Sequence, residues 1–291
     1  MSLDVEARDV HLRYCDGTDA LRGVSFRVEA GTICGLLGRN GSGKTTLMSL
    51  LASLRRPTSG EVLVGGADPF ENTTLMAQIA LIGHGGGKVH TIDDVLGFCR
   101  ELRPTWDDAY ARRLLDEFDV PRVKTISKLS QGKRAAFAAI CGLAARAPLT
   151  MLDEPHLGMD APSRYALYDE LLRDYIAHPR TIILSTHHID EVASLFGELV
   201  ILDDGELVMQ AEADSLTERG TEVIGPMEAV DRFTAGMTVL TERRLGATKA
   251  VAVFGDLSGE QRHQATAAGL ELGPIPLQDL FVHLTTKEDV R

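Results

Sequence analysis

The sequence predicts an α/β fold, and three observations lead there. The apolar run Thr32-Ile33-Cys34-Gly35-Leu36-Leu37 reads as a buried strand. It enters the glycine-rich stretch Gly38-Arg39-Asn40-Gly41-Ser42-Gly43-Lys44-Thr45-Thr46, and Leu47-Met48-Ser49-Leu50-Leu51 leaves that stretch as an apolar helix. Two more buried runs, Leu149–Leu152 and Thr181–Thr186, end in ionisable residues, Asp153-Glu154 and His187-His188. Residues 91–147 read as mainly helical, so strands and helices are interleaved along the chain.

The glycine-rich stretch fits the phosphate-loop pattern G-x-x-x-x-G-K-[ST]. Glycines let the backbone curl so that its N–H groups surround phosphate oxygens. Lys44 is placed to reach the β- and γ-phosphates, Thr45 offers a hydroxyl to Mg²⁺, and the helix start presents its positive end to the same anion. A simple glycine-rich turn between strand and helix is the alternative.

Composition sets bounds. A chain of 291 residues makes one large domain or two smaller ones, and 44% apolar residues are ample for a core. The net charge of −12 opposes a general surface for nucleic-acid phosphates and favours a soluble acidic protein, with room for a local basic patch. Cys15, Cys34, Cys99 and Cys141 lie far apart without metal or redox spacing. Three of them sit in apolar surroundings and read as small core residues, which fits a reducing cytosol. No apolar run approaches the length of a membrane-spanning helix, and Met1-Ser2-Leu3-Asp4-Val5-Glu6 does not read as a signal peptide. Membrane contact is therefore expected only through a partner. There is no internal repeat and no low-complexity tract.

In chain order, Val5–Tyr14 and Leu21–Glu29 read as strands joined at Asp16-Gly17, able to form a small antiparallel sheet. Tyr14 could stack on adenine or be an ordinary edge-strand tyrosine. After the loop helix come a turn at 56–61, a strand at Glu61–Gly66 and another at Ile79–Ile82, then Gly83-His84-Gly85-Gly86-Gly87, a flexible segment. Thr91-Ile92-Asp93-Asp94 and Thr105-Trp106-Asp107-Asp108 both resemble helix starts, each with a cap and early acids. Leu129-Ser130-Gln131-Gly132-Lys133-Arg134 opens a helix over Ala135–Ala147, which Pro148 breaks. Ser130 or Gly132 at its mouth makes either a second anion site or a plain cap. Asp153 suits Mg²⁺ and Glu154 suits activation of an attacking water, because two carboxylates at the end of so apolar a strand are costly unless they serve a cation or a proton. A helix is expected at Tyr165–Ile176. His187, at the next strand end, could touch a γ-phosphate or be structural, and Leu199–Val208 reads as a hairpin.

Taken together these residues resemble the nucleotide-binding subunit of an ABC transporter, over about residues 3–215. Gly38–Thr45 matches the Walker A loop, and Leu149–Glu154 matches Walker B with its catalytic glutamate. Leu129-Ser130-Gln131-Gly132-Lys133 matches the signature motif, Gly158-Met159-Asp160 the D-loop and His187 the switch histidine, while Tyr14 falls where the adenine-stacking aromatic belongs. Pro104-Thr105-Trp106-Asp107, Leu114–Phe118 and Ser127–Ser130 look like ATPases of ABC-2-type exporters, some of which resemble drug or antibiotic efflux systems.

The resemblance implies a phosphate-loop NTPase core with an antiparallel β-subdomain and a helical subdomain at about 88–147, together spanning 1–217. It implies ATP and Mg²⁺ as ligands: ATP held by Tyr14, Gly38 to Thr46, Ser130, Gly132 and Asp160; the metal held by Thr45, Asp153 and His84; catalysis by Glu154, His187 and His84. It further implies two ATPase subunits, identical or not, head to tail, and a separate transmembrane permease. That places the chain in the cytoplasm, peripheral at the inner face of the cell membrane. No nucleic-acid partner is expected. Two departures stand out. The signature reads LSQGK rather than LSGGQ, so the position of Gln131 needs no positive φ. His84 stands where the family carries a glutamine.

Residues 218–291 lie beyond that core and read as strand, helix, strand, strand, helix, strand and a final helix, a small α+β accessory domain of ferredoxin-like order. The alternative function is a non-transport ABC ATPase, a nucleotide-dependent switch or scaffold.

Overall fold

The computed structural model describes residues 2–83, 90–121, 125–218, 220–255, 257–275 and 277–285. They fall into two units, Met1–His187 with Ser194–Gln210, and His188–Ala193 with Ala211–Arg291.

In the first unit, β1 (Val5–Arg13) and β2 (Asp19–Val28) pair antiparallel, with Val5 opposite Val28 and Leu12 opposite Leu21. Alternation buries Val5, Ala7, Val10 and Leu12, and the slip between Ala7 and Val10 is a bulge around Asp9, whose φ is 47°. Next come β3 (Ile33–Gly38), α1 (Lys44–Leu51) and β4 (Ser59–Val64), and β4 completes a sheet of order β2-β1-β4. A short α2 (Thr73–Met76), capped by the Asn72 side chain, was not legible as a helix; β5 (Ile79–Ile82) follows it.

The helical stretch resolves into α3 (Ile92–Leu102), α4 (Asp108–Glu117) and α5 (Gln131–Ala145). At α3 the expected start is a reciprocal capping box: Asp94 N–H donates to Thr91 Oγ1 (3.1 Å) and Thr91 N–H to Asp94 Oδ2 (2.9 Å). At α4 the cap is Asp107, which accepts from Tyr110 N–H at 2.9 Å, while the Thr105 hydroxyl donates to Ala145 O at 2.6 Å. The α5 helix begins at Gln131 instead of Ala135, because Ser130 caps it by accepting from Lys133 N–H at 3.3 Å. It ends at Ala145, where Arg146 turns out at φ 43°, two residues before Pro148. Cys34 and Cys141 are buried, Cys99 is half-buried and Cys15 is exposed.

After β6 (Leu149–Asp153), α6 (Ala161–Ala177) and β7 (Thr181–Ser185) come β8 (Glu198–Asp203) and β9 (Glu206–Glu212). The larger sheet runs β5-β6-β7-β3-β8-β9, with β5, β6, β7, β3 and β8 parallel. Every residue of β3, β6 and β7 is buried, as a parallel sheet covered on both faces requires. Asp153 lies opposite Ser185, and Ser185 opposite Leu36. The loop after β3, the acids after β6 and the histidine after β7 therefore emerge from one edge, where open α/β sheets bind ligands.

The second unit holds α7 (Ile189–Val192), and then α8 (Ala213–Glu218), β10 (Gly220–Pro226), α9 (Met227–Phe233), β11 (Thr238–Leu245), β12 (Thr248–Phe254), α10 (Gly259–Ala267), β13 (Glu271–Pro274) and α11 (Leu277–Thr285). Its sheet order is β11-β12-β10-β13 with all neighbours antiparallel, a split βαβ arrangement. Val223, Val230, Val251, Val253, Ala265 and Leu270 form its core.

One buried charge network braces the first unit. Asp174 of α6, 4% exposed, lies 2.7 Å from Arg180 Nη2 and 3.2 Å from Arg146 Nε, and Arg146 also reaches Asp107 at 2.8 Å. The end of α5, the start of α4 and the approach to β7 are joined through it. Asp174→Ala leaves Arg180, 3% exposed, without this carboxylate, and is expected to lower unfolding free energy by about 3–5 kcal/mol in urea titrations. Asp174→Leu combined with Arg180→Met should recover part of the loss; a single variant as stable as wild type would show the network to be incidental.

Candidate functional site

The loop after β3 is shaped by backbone geometry. Gly43 precedes α1 at φ 102°, and a Cβ there would sit 2.7 Å from Ala20 O. Arg39, Asn40 and Gly41 are exposed at the tip, whereas Ser42 and Lys44 are buried. The Lys44 ammonium donates to Gly38 O (2.7 Å) and Arg39 O (3.1 Å), both within its own loop. Burial pulls its pKa down, against the opposing pull of Glu154 and Asp153. Ser42 Oγ, in a residue 2% exposed, has no hydrogen-bond partner among the described residues. Tyr14 OH lies 2.8 Å from Thr46 Oγ1, tying the end of β1 to α1, and the Arg55 guanidinium sits 5.0 Å from the Tyr14 ring centre.

Beside the loop stands the acidic pair. Asp153, 8% exposed, accepts from Thr45 Oγ1 at 2.7 Å through Oδ2 and from Ser185 Oγ at 2.6 Å through Oδ1. Its carboxylate thus joins the ends of β6 and β7 to the start of α1. Glu154 turns away at φ 49°, its N–H donating to Ser185 O (3.2 Å) and Ser185 Oγ (3.0 Å). Glu154 Oε2 lies 2.7 Å from His187 Nδ1 and 3.2 Å from His156 Nε2. Burial alone would raise the Glu154 pKa, but the contacts and charges of His156 and His187 outweigh it and bring it to about 2. The carboxylate is ionised throughout the neutral range. His156 was not singled out from sequence. Its only signal was a histidine two residues beyond a strand-end carboxylate.

A second group forms where α5 starts. A Cβ on Gly132 would fall 2.5 Å from Gly158 O; one on Gly158, at φ 83°, would fall 2.6 Å from Gln131 Cγ. These two glycines let the start of α5 lie directly on the 156–160 turn. Gln131 is the first helical residue and has no positive φ. Ser130 is exposed and engaged as the cap. Asp160 caps α6 by accepting from Ser163 N–H at 2.9 Å, and hydrogen bonding from the Ser163 side chain, then from its backbone, lowers the carboxyl pKa. The structure therefore brings Lys44, Thr45, Asp153, Glu154 and His187 together, and sets Gly132, two residues after Ser130, against the turn that leads to Asp160. His84 lies outside the described residues.

The donor set fits a nucleotide phosphate with Mg²⁺. The buried Ser42 hydroxyl has no hydrogen-bond partner among the described residues, and the Lys44 ammonium donates to two carbonyls of its own loop. The Thr45 and Asp153 oxygens form a close pair of hard ligands, the type Mg²⁺ takes along with phosphate and water.

Residues 21–157 match the family described as ABC transporter. The chain is 31% identical over 299 aligned residues to the daunorubicin resistance ATP-binding protein DrrA3 of Streptomyces coeruleorubidus, covering 94% of this chain and 93% of that protein. It is 28% identical over 205 residues to the ABC transporter ATP-binding protein YtrB of Bacillus subtilis (strain 168), covering 70% of each. A solved structure of an ATP-binding subunit of an ABC transporter superposes with TM-score 0.64 at 25% identity, covering 73% of this chain and 91% of that one. A dimeric ATP-binding cassette in a post-hydrolysis state with ADP and Pi shares the fold, with TM-score 0.63 at 19% identity over 72% of this chain and 98% of that one.

Lys44→Ala removes the one ammonium held inside the loop. Calorimetric ATP affinity is expected to fall about 10- to 100-fold, the worth of a charged hydrogen bond, with the melting temperature little changed. Unchanged affinity would remove the loop from nucleotide binding.

Proposed function

Because this chain belongs to the ABC transporter family of ATP-binding proteins, we propose that its ATPase activity drives a separate transmembrane permease and that the permease is an exporter. The chain is an ATP-binding, ATP-hydrolysing subunit of the α/β phosphate-loop type. The export reading is supported by the relative that spans 94% of this chain and is named for daunorubicin resistance. A separate permease is favoured because no helix among the described residues is long and apolar enough to cross a membrane.

The observation that carries the reading is the Asp153 carboxylate bridging Thr45 and Ser185 with Glu154 beside it. In this account the loop N–H groups, Ser42 and Lys44 bind the β- and γ-phosphates of ATP, and Tyr14 takes the adenine. Thr45 and Asp153 hold Mg²⁺, which when bound neutralises charge on the phosphate oxygens. Glu154 orients water and accepts its proton as the water oxygen bonds to the γ-phosphorus. The bond from that phosphorus to the β–γ bridging oxygen breaks, and ADP leaves with the electron pair. His187, its side chain 47% exposed, is the histidine able to meet the γ-phosphate. Ser130 and Gly132 belong to a second nucleotide face, completed by another cassette head to tail; the exposure of Ser130 at the mouth of α5 favours this. The second unit is an accessory domain at the end of the cassette.

Glu154→Gln keeps the shape of the side chain but not the base. Turnover should fall by about 10²–10⁴-fold, and light scattering with Mg-ATP should show twice the monomer mass, since unhydrolysed ATP bridges two copies. A variant that remains monomeric at high protein and ATP concentration speaks against the paired arrangement.

A further inference from the structure

Glu154 has two histidines on one oxygen, and they differ in surroundings. The His187 side chain is 47% exposed, whereas that of His156 is 1% exposed, and both approach Oε2. The imidazole rings lie 5.1 Å apart, centre to centre. Both ring nitrogens stand on Oε2: His187 Nδ1 is hydrogen-bonded there at 2.7 Å, and His156 Nε2 makes a 3.2 Å charge-pair contact short of hydrogen-bond alignment.

The backbone fixes His156 relative to Glu154. Leu157 N–H donates to Glu154 O at 3.1 Å and Met159 N–H to His156 O at 2.9 Å, so the turn is closed at successive points. Tyr168 of α6, 3% exposed, has its ring centre 6.3 Å from that of His156. The buried imidazole thus has the Tyr168 ring and the Glu154 carboxylate as neighbours. A buried ring nitrogen needs a polar partner, and Glu154 Oε2 stands within hydrogen-bond distance of it. Such contacts tighten when the reacting complex forms.

We propose that His156 is a positioning residue for hydrolysis: it holds Glu154 Oε2 so that Oε1 stays directed at the attacking water. The inference rests on the reading of Glu154 as the base. It assigns the two histidines different duties. The exposed His187 can turn to the γ-phosphate, and the buried His156 keeps the glutamate aligned when it does.

The test uses the full chain with Mg-ATP and compares wild type, His156→Phe, His156→Gln and Glu154→Gln. Phenylalanine keeps the ring and removes the donor. Glutamine places an amide N–H near the position of Nε2. Removing such a partner costs about 10- to 100-fold in activity, so kcat of His156→Phe should fall by that factor while KM for ATP stays within about twofold. His156→Gln should regain most of the loss. Equal loss in both variants would make His156 a packing residue and overturn the proposal, as would a His156→Phe chain with kcat near wild type. Should His156→Phe fail to fold, loss of turnover in a folded His156→Gln chain with normal ATP affinity also overturns it, because a retained donor should retain rate. Wild-type turnover in Glu154→Gln would instead remove the base on which the inference stands.

Discussion

The arrangement depends on one carboxylate. Asp153 is 8% exposed and accepts from Thr45 on one oxygen and from Ser185 on the other. A charge at that depth is tolerated only with partners, and these partners come from the start of α1 and the end of β7. Parallel pairing of β6, β7 and β3 makes the meeting possible, because it finishes their carboxyl ends at one level. Lys44, Glu154 and His187 are then placed as consequences of the sheet.

The turn that follows carries the site outward. Glu154 leaves β6 at φ 49°, and residues 156–160 pass from the histidine beneath the glutamate to the glycine that receives α5. Gly158, on which Gly132 of α5 lies, is thus four residues beyond Glu154 along one folded turn. The Asp174 network fixes the other end of α5 to α6 and to the approach to β7.

Much of this was legible because it is local. The phosphate loop, the buried strands ending in acids or histidine, and the capping box at Thr91 each lie within a few consecutive residues. Where two caps compete, local reading fails: Thr105 and Asp107 both suit a helix start, and only the donation of Thr105 to Ala145 O, forty residues away, decides for Asp107. The start of α5 was placed late because Gln131 to Arg134 are polar, although the Ser130 cap already lies ahead of them. His156 could not be found because a turn residue's facing is set by Tyr168 and Glu154 together. The Arg146–Asp174–Arg180 network likewise joins residues that sequence periodicity does not relate.

The central claim, that Asp153 at the strand edge holds the metal of a metal–nucleotide complex, is tested most directly by calorimetry of ATP with and without Mg²⁺. Wild type and Asp153→Asn are to be compared. The expected result is that Mg²⁺ strengthens ATP binding to wild type but not to the variant, while metal-free ATP binds the variant as well or better, one negative charge having gone. An equal gain from Mg²⁺ in both proteins would contradict the account.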